Sequence, residues 1–186
     1  PMDTAATQLA AHVTGAGPVA IIEEDGVELL DIDTANGVIT IVTGLRAAGD
    51  VTITDVQSTT DDDVNDITIT VLRGGNAEIG TINAGTGAGD VVLTLTAPAG
   101  QNVTDGDGNS LITADDVTIT VAGAIGATGH AINTDALEWL AIASTTGDIH
   151  LGDIGSVSAT DVQATLGSIT LGAGADITLD TVIAAG

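Results

Sequence analysis

The chain has 186 residues, with no cysteine, phenylalanine or tyrosine, one tryptophan (Trp139), and 26 acidic residues against two arginines (Arg46 and Arg73), for a formal net charge of −24. That balance excludes a nucleic-acid partner, because no basic surface is present to neutralise phosphates, and it excludes an anionic membrane face. The lack of cysteine removes disulfides and cysteine-based zinc sites, and no run approaches the roughly 18 apolar residues that a spanning helix needs.

Acidity of this degree often accompanies disorder, but 44% of the residues are hydrophobic and they fall in short regular runs, which disordered acidic tails lack. A core built without large aromatics has to be thin and aliphatic. That disfavours a wide globular interior and suits a narrow solenoid filled layer by layer. Pro1-Met2 reads as a vector-derived scar ahead of an internal fragment, with residues 1–19 as a lead-in. The absence of a secretory signal then carries no meaning.

In chain order, alternation of period two marks strands at Val38-Ile39-Thr40-Ile41, Val51-Thr52-Ile53-Thr54, Ile67-Thr68-Ile69-Thr70, Val91 to Thr96, Val117-Thr118-Ile119-Thr120, Ile169-Thr170-Leu171 and Ile177-Thr178-Leu179. Aliphatics point to one side and threonines to the other. The stretch Ala136–Ile142 is also read as strand rather than as a helical turn. Turn pairs precede most of these runs: Asn36-Gly37, Gly49-Asp50, Asn65-Asp66, Gly89-Asp90, Asp115-Asp116, Gly147-Asp148, Gly167-Ser168 and Ala175-Asp176. Gly, Asn and Asp accept the backbone conformations that re-aim a chain between short strands.

The sequence repeats internally. Val27-Glu28-Leu29-Leu30-Asp31-Ile32 aligns without a gap on Leu137-Glu138-Trp139-Leu140-Ala141-Ile142, and Asp66-Ile67-Thr68 meets Asp176-Ile177-Thr178 at the same offset. Thr54-Asp55-Val56-Gln57 recurs as Thr160-Asp161-Val162-Gln163 at a slightly shorter offset, which implies a loop indel. The expected organisation is a first repeat over 20–129 and a partial second over 130–186. Tandem β-sandwich extenders of the Ig-like or cadherin-like kind would give such a period, but they usually centre on buried aromatics. A parallel β-helix with coils of roughly 20–25 residues fits the short strands, the Gly/Asp punctuation and the thin core better.

The segments Gly49-Asp50-Val51-Thr52-Ile53-Thr54 and Gly89-Asp90-Val91-Val92-Leu93-Thr94 resemble repeats of very large bacterial surface adhesins. So does the block Val117-Thr118-Ile119-Thr120-Val121-Ala122-Gly123-Ala124-Ile125-Gly126 followed by Leu137 to Leu151. The resemblance covers most of residues 20–186. It implies the filamentous-haemagglutinin-like right-handed parallel β-helix and a long secreted rod used in adhesion or cell–cell contact. The amino-terminal secretion module of that family lies outside this window.

The strongest candidate site is the twelve-residue stretch from Asp105 to Asp116. Read as a Ca²⁺ loop, Asp105, Asp107 and Asn109 hold positions 1, 3 and 5 and Asp116 closes it; Ser110 stands where that loop wants glycine. The alternative is a polar turn leading into the Val117 strand. Glu23-Glu24-Asp25 and Asp61-Asp62-Asp63 read as solvated acidic loops with room for loosely held cations. The Thr52/Thr54, Thr68/Thr70, Thr94/Thr96 and Thr118/Thr120 pairs could form a flat hydroxyl array of the ice-binding type, although threonine is also an ordinary outward strand residue. His12, His130 and His150 are far apart in sequence and read as surface residues, and Trp139, aligned with Leu29, reads as core rather than a sugar platform. Polysaccharide cleavage by β-elimination would require cationic groups at the site, and hydrolysis would require paired carboxylates; the expectation is that the chain is not an enzyme. The integrated expectation is an extracellular structural or adhesive rod segment. Its partners would be other cell-surface proteins or glycans, with end-to-end self-association, and it would not insert into a membrane. A Ca²⁺-stiffened extender is the alternative.

Overall fold

The computed structural model describes residues 2–60, 64–96 and 100–185, with residues 2–4 described by their backbone alone. The Asp61-Asp62-Asp63 cluster lies outside the described residues. Every regular element is a strand, no helix occurs among the described residues, and the strands form one parallel β-solenoid of about 8 turns. The thin aliphatic solenoid inferred from composition is the observed architecture, and a pair of packed sandwich domains is not.

Each coil carries its strands in the same order. Coil 1 holds Gln8–Ala16 and Val19–Glu23, coil 2 Val27–Asn36 and Ile39–Thr43, coil 3 Val51–Ser58 and Ile67–Leu72, and coil 4 Ala77–Asn83 and Val91–Thr96. Coil 5 holds Val103–Thr104 and Leu111–Val121, coil 6 the single long strand Ile132–Ser144, coil 7 Ile149–Asp153 and Val157–Ala164, and coil 8 Ile169–Ala173 and Ile177–Ala184. Met2–Thr4 pairs in parallel with Val19–Glu23.

Register places like side chains above one another. One inward column on the first face runs Val19, Ile39, Ile67, Val91, Val117, Trp139, Ala159, Leu179, and its neighbour runs Ile21, Ile41, Ile69, Leu93, Ile119, Ile142, Val162, Val182. A second face stacks Val27, Val51, Ala77, Val103, Ile125, Ile149 and Ile169. A third stacks Ile32, Val56, Ile82, Ile112, Thr134, Asp153 and Ala173. In Val51–Ser58 the buried residues are Val51, Ile53, Val56 and Ser58. The two consecutive outward residues, Thr54 and Asp55, turn the strand from the second face to the third without breaking it. Stacked β-branched side chains fill such a core at close packing, and their burial drives the fold.

The corners are held by polar ladders. Asp50 Oδ1 accepts from the N–H of Asn76 (2.8 Å), Asn76 Oδ1 from that of Asn102 (3.0 Å), and Asn102 Oδ1 from that of Ala124 (2.8 Å). Farther along, Asp148 Oδ1 accepts from the N–H of Ser168 at 2.8 Å. Each side chain thus satisfies a backbone donor that the turn would leave orphaned. Beside this ladder the backbones of successive turns come so close that a Cβ on Gly75 would sit 1.9 Å from the carbonyl oxygen of Gly49. Buried hydroxyls do the corresponding work at strand ends: Thr34 donates to the carbonyl of Gly17 (2.8 Å), Ser58 to Gly37 (3.1 Å) and Ser144 to Gly123 (2.6 Å).

Coil length is less even than the repeat pattern suggests. Along the Val19 column the step from Val19 to Ile39 is among the shortest, and the next step, from Ile39 to Ile67, is the longest. The segments matched by the internal repeat also lie on different faces. Leu29 stacks with Ile53 and Ile79, whereas Trp139 stands in the Val19 column. Val27 is 4% exposed and its counterpart Leu137 is 57% exposed.

Candidate functional site

Val103 continues the second-face column, so Asp105, two residues on, takes the inward position that Leu29, Ile53 and Ile79 hold in coils 2 to 4. The residue is only 5% exposed. The chain bulges here instead of continuing the strand, and the bulge winds around Asp105. Oδ1 accepts from the N–H groups of Gly108 (2.8 Å), Asn109 (3.1 Å) and Ser110 (3.3 Å), while Oδ2 is buried with no hydrogen-bond partner. Asp107 Oδ1 accepts from the N–H of Asn109 at 3.0 Å, and its hydrogen bonding with Asn109 holds its carboxyl below the usual range.

The fourth residue of the expected Ca²⁺ loop lies elsewhere. Asp116 is on the outward side of Leu111–Val121, opposite Glu138 of coil 6. Burial pushes its pKa up, and the nearby charges of Asp90, Glu138 and Asp115 add to the shift. Asp105, Asp107 and Asp116 are not gathered within ligand-sharing distance of one another. Strand register holds Asp116 on the ladder opposite Glu138, away from the Asp105 loop.

The one group of three potential metal-ligating side chains that does converge among the described residues is His12, Asp31 and Asp33. Adjacent coils create it. His12 Nδ1 is 3.0 Å from Asp33 Oδ2, and Nε2 is 3.7 Å from Asp31 Oδ2. The hydrogen bond to Asp33, with the charges of Asp33 and Asp31, raises the imidazole pKa. Both ring nitrogens face a carboxylate, an arrangement suited to a surface clamp in which the imidazolium bridges two coils. Reading along the sequence missed it, because His12 and Asp33 become neighbours only when the coil length is known.

Stacking of neighbouring coils also brings the other two histidines to one cleft. The loop between Ile125 and Ile132 makes a tight turn, with Ala127 and His130 exchanging backbone hydrogen bonds (2.8 and 2.9 Å), and it stands over His150 of coil 7. His130, His150 and Asp105 line a common cleft of about 490 Å³.

Trp139 is fully buried, as expected for core. Its Nε1–H donates to Thr134 Oγ1 (3.0 Å), which donates to Asp153 Oδ2 (2.6 Å), and that oxygen also accepts from the N–H of Ala136 (3.0 Å). Glu23, in the first acidic cluster, is buried and accepts from the N–H groups of Ala6 and Glu24, while Glu24 pairs with Arg46 at 2.7 Å. The threonine pairs are split between faces. Thr70, Thr94 and Thr120 stack on the first face, and Thr68 and Thr118 flank Val92 there, but Thr52 lies on the second face between Glu28 and Glu78.

No helix among the described residues is long and apolar enough to cross a membrane. Comparison with protein-family models, with curated proteins and with solved structures gives no match to this chain.

Proposed function

We propose that this chain is a structural and adhesive rod segment of a large secreted or cell-surface protein, presenting its outer faces to other cell-surface proteins or glycans. The observation that carries the reading is the strand ladder of the first face, which runs through all eight coils. A solenoid gains length by adding coils, each contacting only its neighbours, at about 4.8 Å per coil. Its interior is nearly all aliphatic, and its charge is overwhelmingly of one sign, which keeps a long rod soluble.

The test has two arms. Small-angle scattering should give a cross-section that is constant along the particle, and a waist between two beads would contradict the rod. Beads coated with the protein should bind cells more than albumin-coated beads do, and soluble protein should compete. Binding no greater than to albumin beads would remove the adhesive half of the reading.

A further inference from the structure

Coils 5 and 6 interrupt the regular solenoid at the same corner, through the loops 105–110 and 126–131, and the cleft between them is the product. We infer that this cleft binds a single sugar unit, a neutral hexose or a cationic hexosamine, with Asp105 as its anchor. The inference deepens the adhesive reading and rests on it only for biological context.

Four observations support it. Asp105 replaces an aliphatic residue in a buried column and leaves Oδ2 unpartnered, an arrangement that is costly unless a donor is supplied. Neither arginine supplies one: Arg46 pairs with Glu24, and Arg73 Nε donates to the carbonyl of Leu45. The cleft of about 490 Å³ meets a second of about 280 Å³, with Asp105, Ala127 and His130 common to both. That size lies within the range of small-molecule sites, roughly 300–1,000 Å³. Finally, Asp105, His130 and His150 line the cleft without coming close enough together to share one ion. Spaced polar residues of this kind, with Asn133 and Thr170 also in the lining, suit a ligand that carries several polar atoms of its own.

Charge selects among sugars. A buried carboxylate in a chain of net charge −24 favours hydroxyl and ammonium donors and repels a uronate. The cleft is lined by no Phe, Tyr or Trp, so recognition rests on hydrogen bonds and is expected to be weak, with Kd in about the millimolar range for one unit.

Saturation-transfer NMR on the whole chain tests this with glucose, glucosamine, N-acetylglucosamine and glucuronate as probes. Transfer to the first three and none to glucuronate is expected. Asp105→Asn retains an oxygen for the three loop N–H groups but loses the charge, and it should weaken binding about tenfold or more. His150→Ala, on the outward side of its strand, should weaken binding with the thermal midpoint unchanged, which separates loss of the site from loss of the fold. The proposal is overturned by absence of transfer from every sugar, by equal transfer to glucuronate, or by binding that both substitutions leave intact. The bead assay reads adhesion separately, so either claim can fail without the other.

Discussion

Two single residues show how polar groups are accommodated in a core this thin. Trp139 is the only aromatic side chain of the Phe, Tyr and Trp class and is fully buried, so its fluorescence should be blue-shifted and resistant to iodide quenching until the solenoid unfolds. Its indole depends on Thr134, which links it to Asp153. Thr134→Val would leave the buried indole N–H without its acceptor and take one of two donors from Asp153 Oδ2, at a cost of about 1–3 kcal/mol, and should lower the thermal midpoint by several degrees; an unchanged midpoint would show that the relay contributes nothing. Asp116 has the opposite character. Its carboxyl faces Glu138 across the ladder with Asp90 nearby, and its folded pKa is raised. A raised folded value means that stability is greatest below the ordinary carboxylate range and falls as pH rises through the folded value. Like charges opposed across a ladder cost about 0.2–1 kcal/mol. Asp116→Asn should therefore raise the midpoint by about 1–3 °C at pH 7, and the gain should shrink toward pH 4.

Among the elements, strands were readable in the sequence and corners only partly so. The alternation Val51-Thr52-Ile53 points its aliphatics inward in the structure, and the Gly49-Asp50 turn pair joins the polar ladder through Asp50 Oδ1. The Asp105 loop was legible as a special place but not in its form. Oxygens at alternate positions are equally suited to wrapping a cation and to capping the loop's own N–H groups, and only the register of Leu111–Val121 shows that Asp116 stays away. Close approaches between coils have measurable consequences. Gly75→Ala would place a Cβ 1.9 Å from the Gly49 carbonyl oxygen, so adjacent turns must part; a marked fall in thermal midpoint is expected, visible by circular dichroism. The His12 clamp ties coil 1 to coil 2. Because its folded pKa is raised, its contribution is complete below the ordinary histidine value of about 6.5 and is lost as pH rises through the folded value. The site is exposed, so the effect should be about a degree or less, and His12→Asn should narrow the difference between midpoints at about pH 5.5 and about pH 8 by that amount.

For the molecule as a whole, the dominant electrostatic fact is 26 acids against two arginines. Self-repulsion of that size is relieved by screening, so raising salt from about 10 mM to about 150 mM should raise the midpoint. A midpoint that fell or stayed flat would mean that repulsion among the acids does not limit stability. The overall architecture was legible because scarce aromatics, period-two alternation of aliphatics and regular Gly/Asp turns together favour a thin stacked core over a wide one. That His130 and His150 line one cleft was not legible, because it depends on local coil length, and that length changes between neighbouring coils, as the unequal steps from Val19 to Ile39 and from Ile39 to Ile67 show. The same variability bears on how such a chain is inherited. A stretch of sequence shared by the Leu29 and Trp139 regions came to rest on two different faces, with these residues in unrelated columns, and it still stacked. The solenoid therefore does not require a duplicated segment to return in phase. An insertion that supplies alternating strands, turn residues and glycine at the close approaches need not match the phase of its neighbours, so a lineage could lengthen or shorten the rod by recombination at corners that meet those terms.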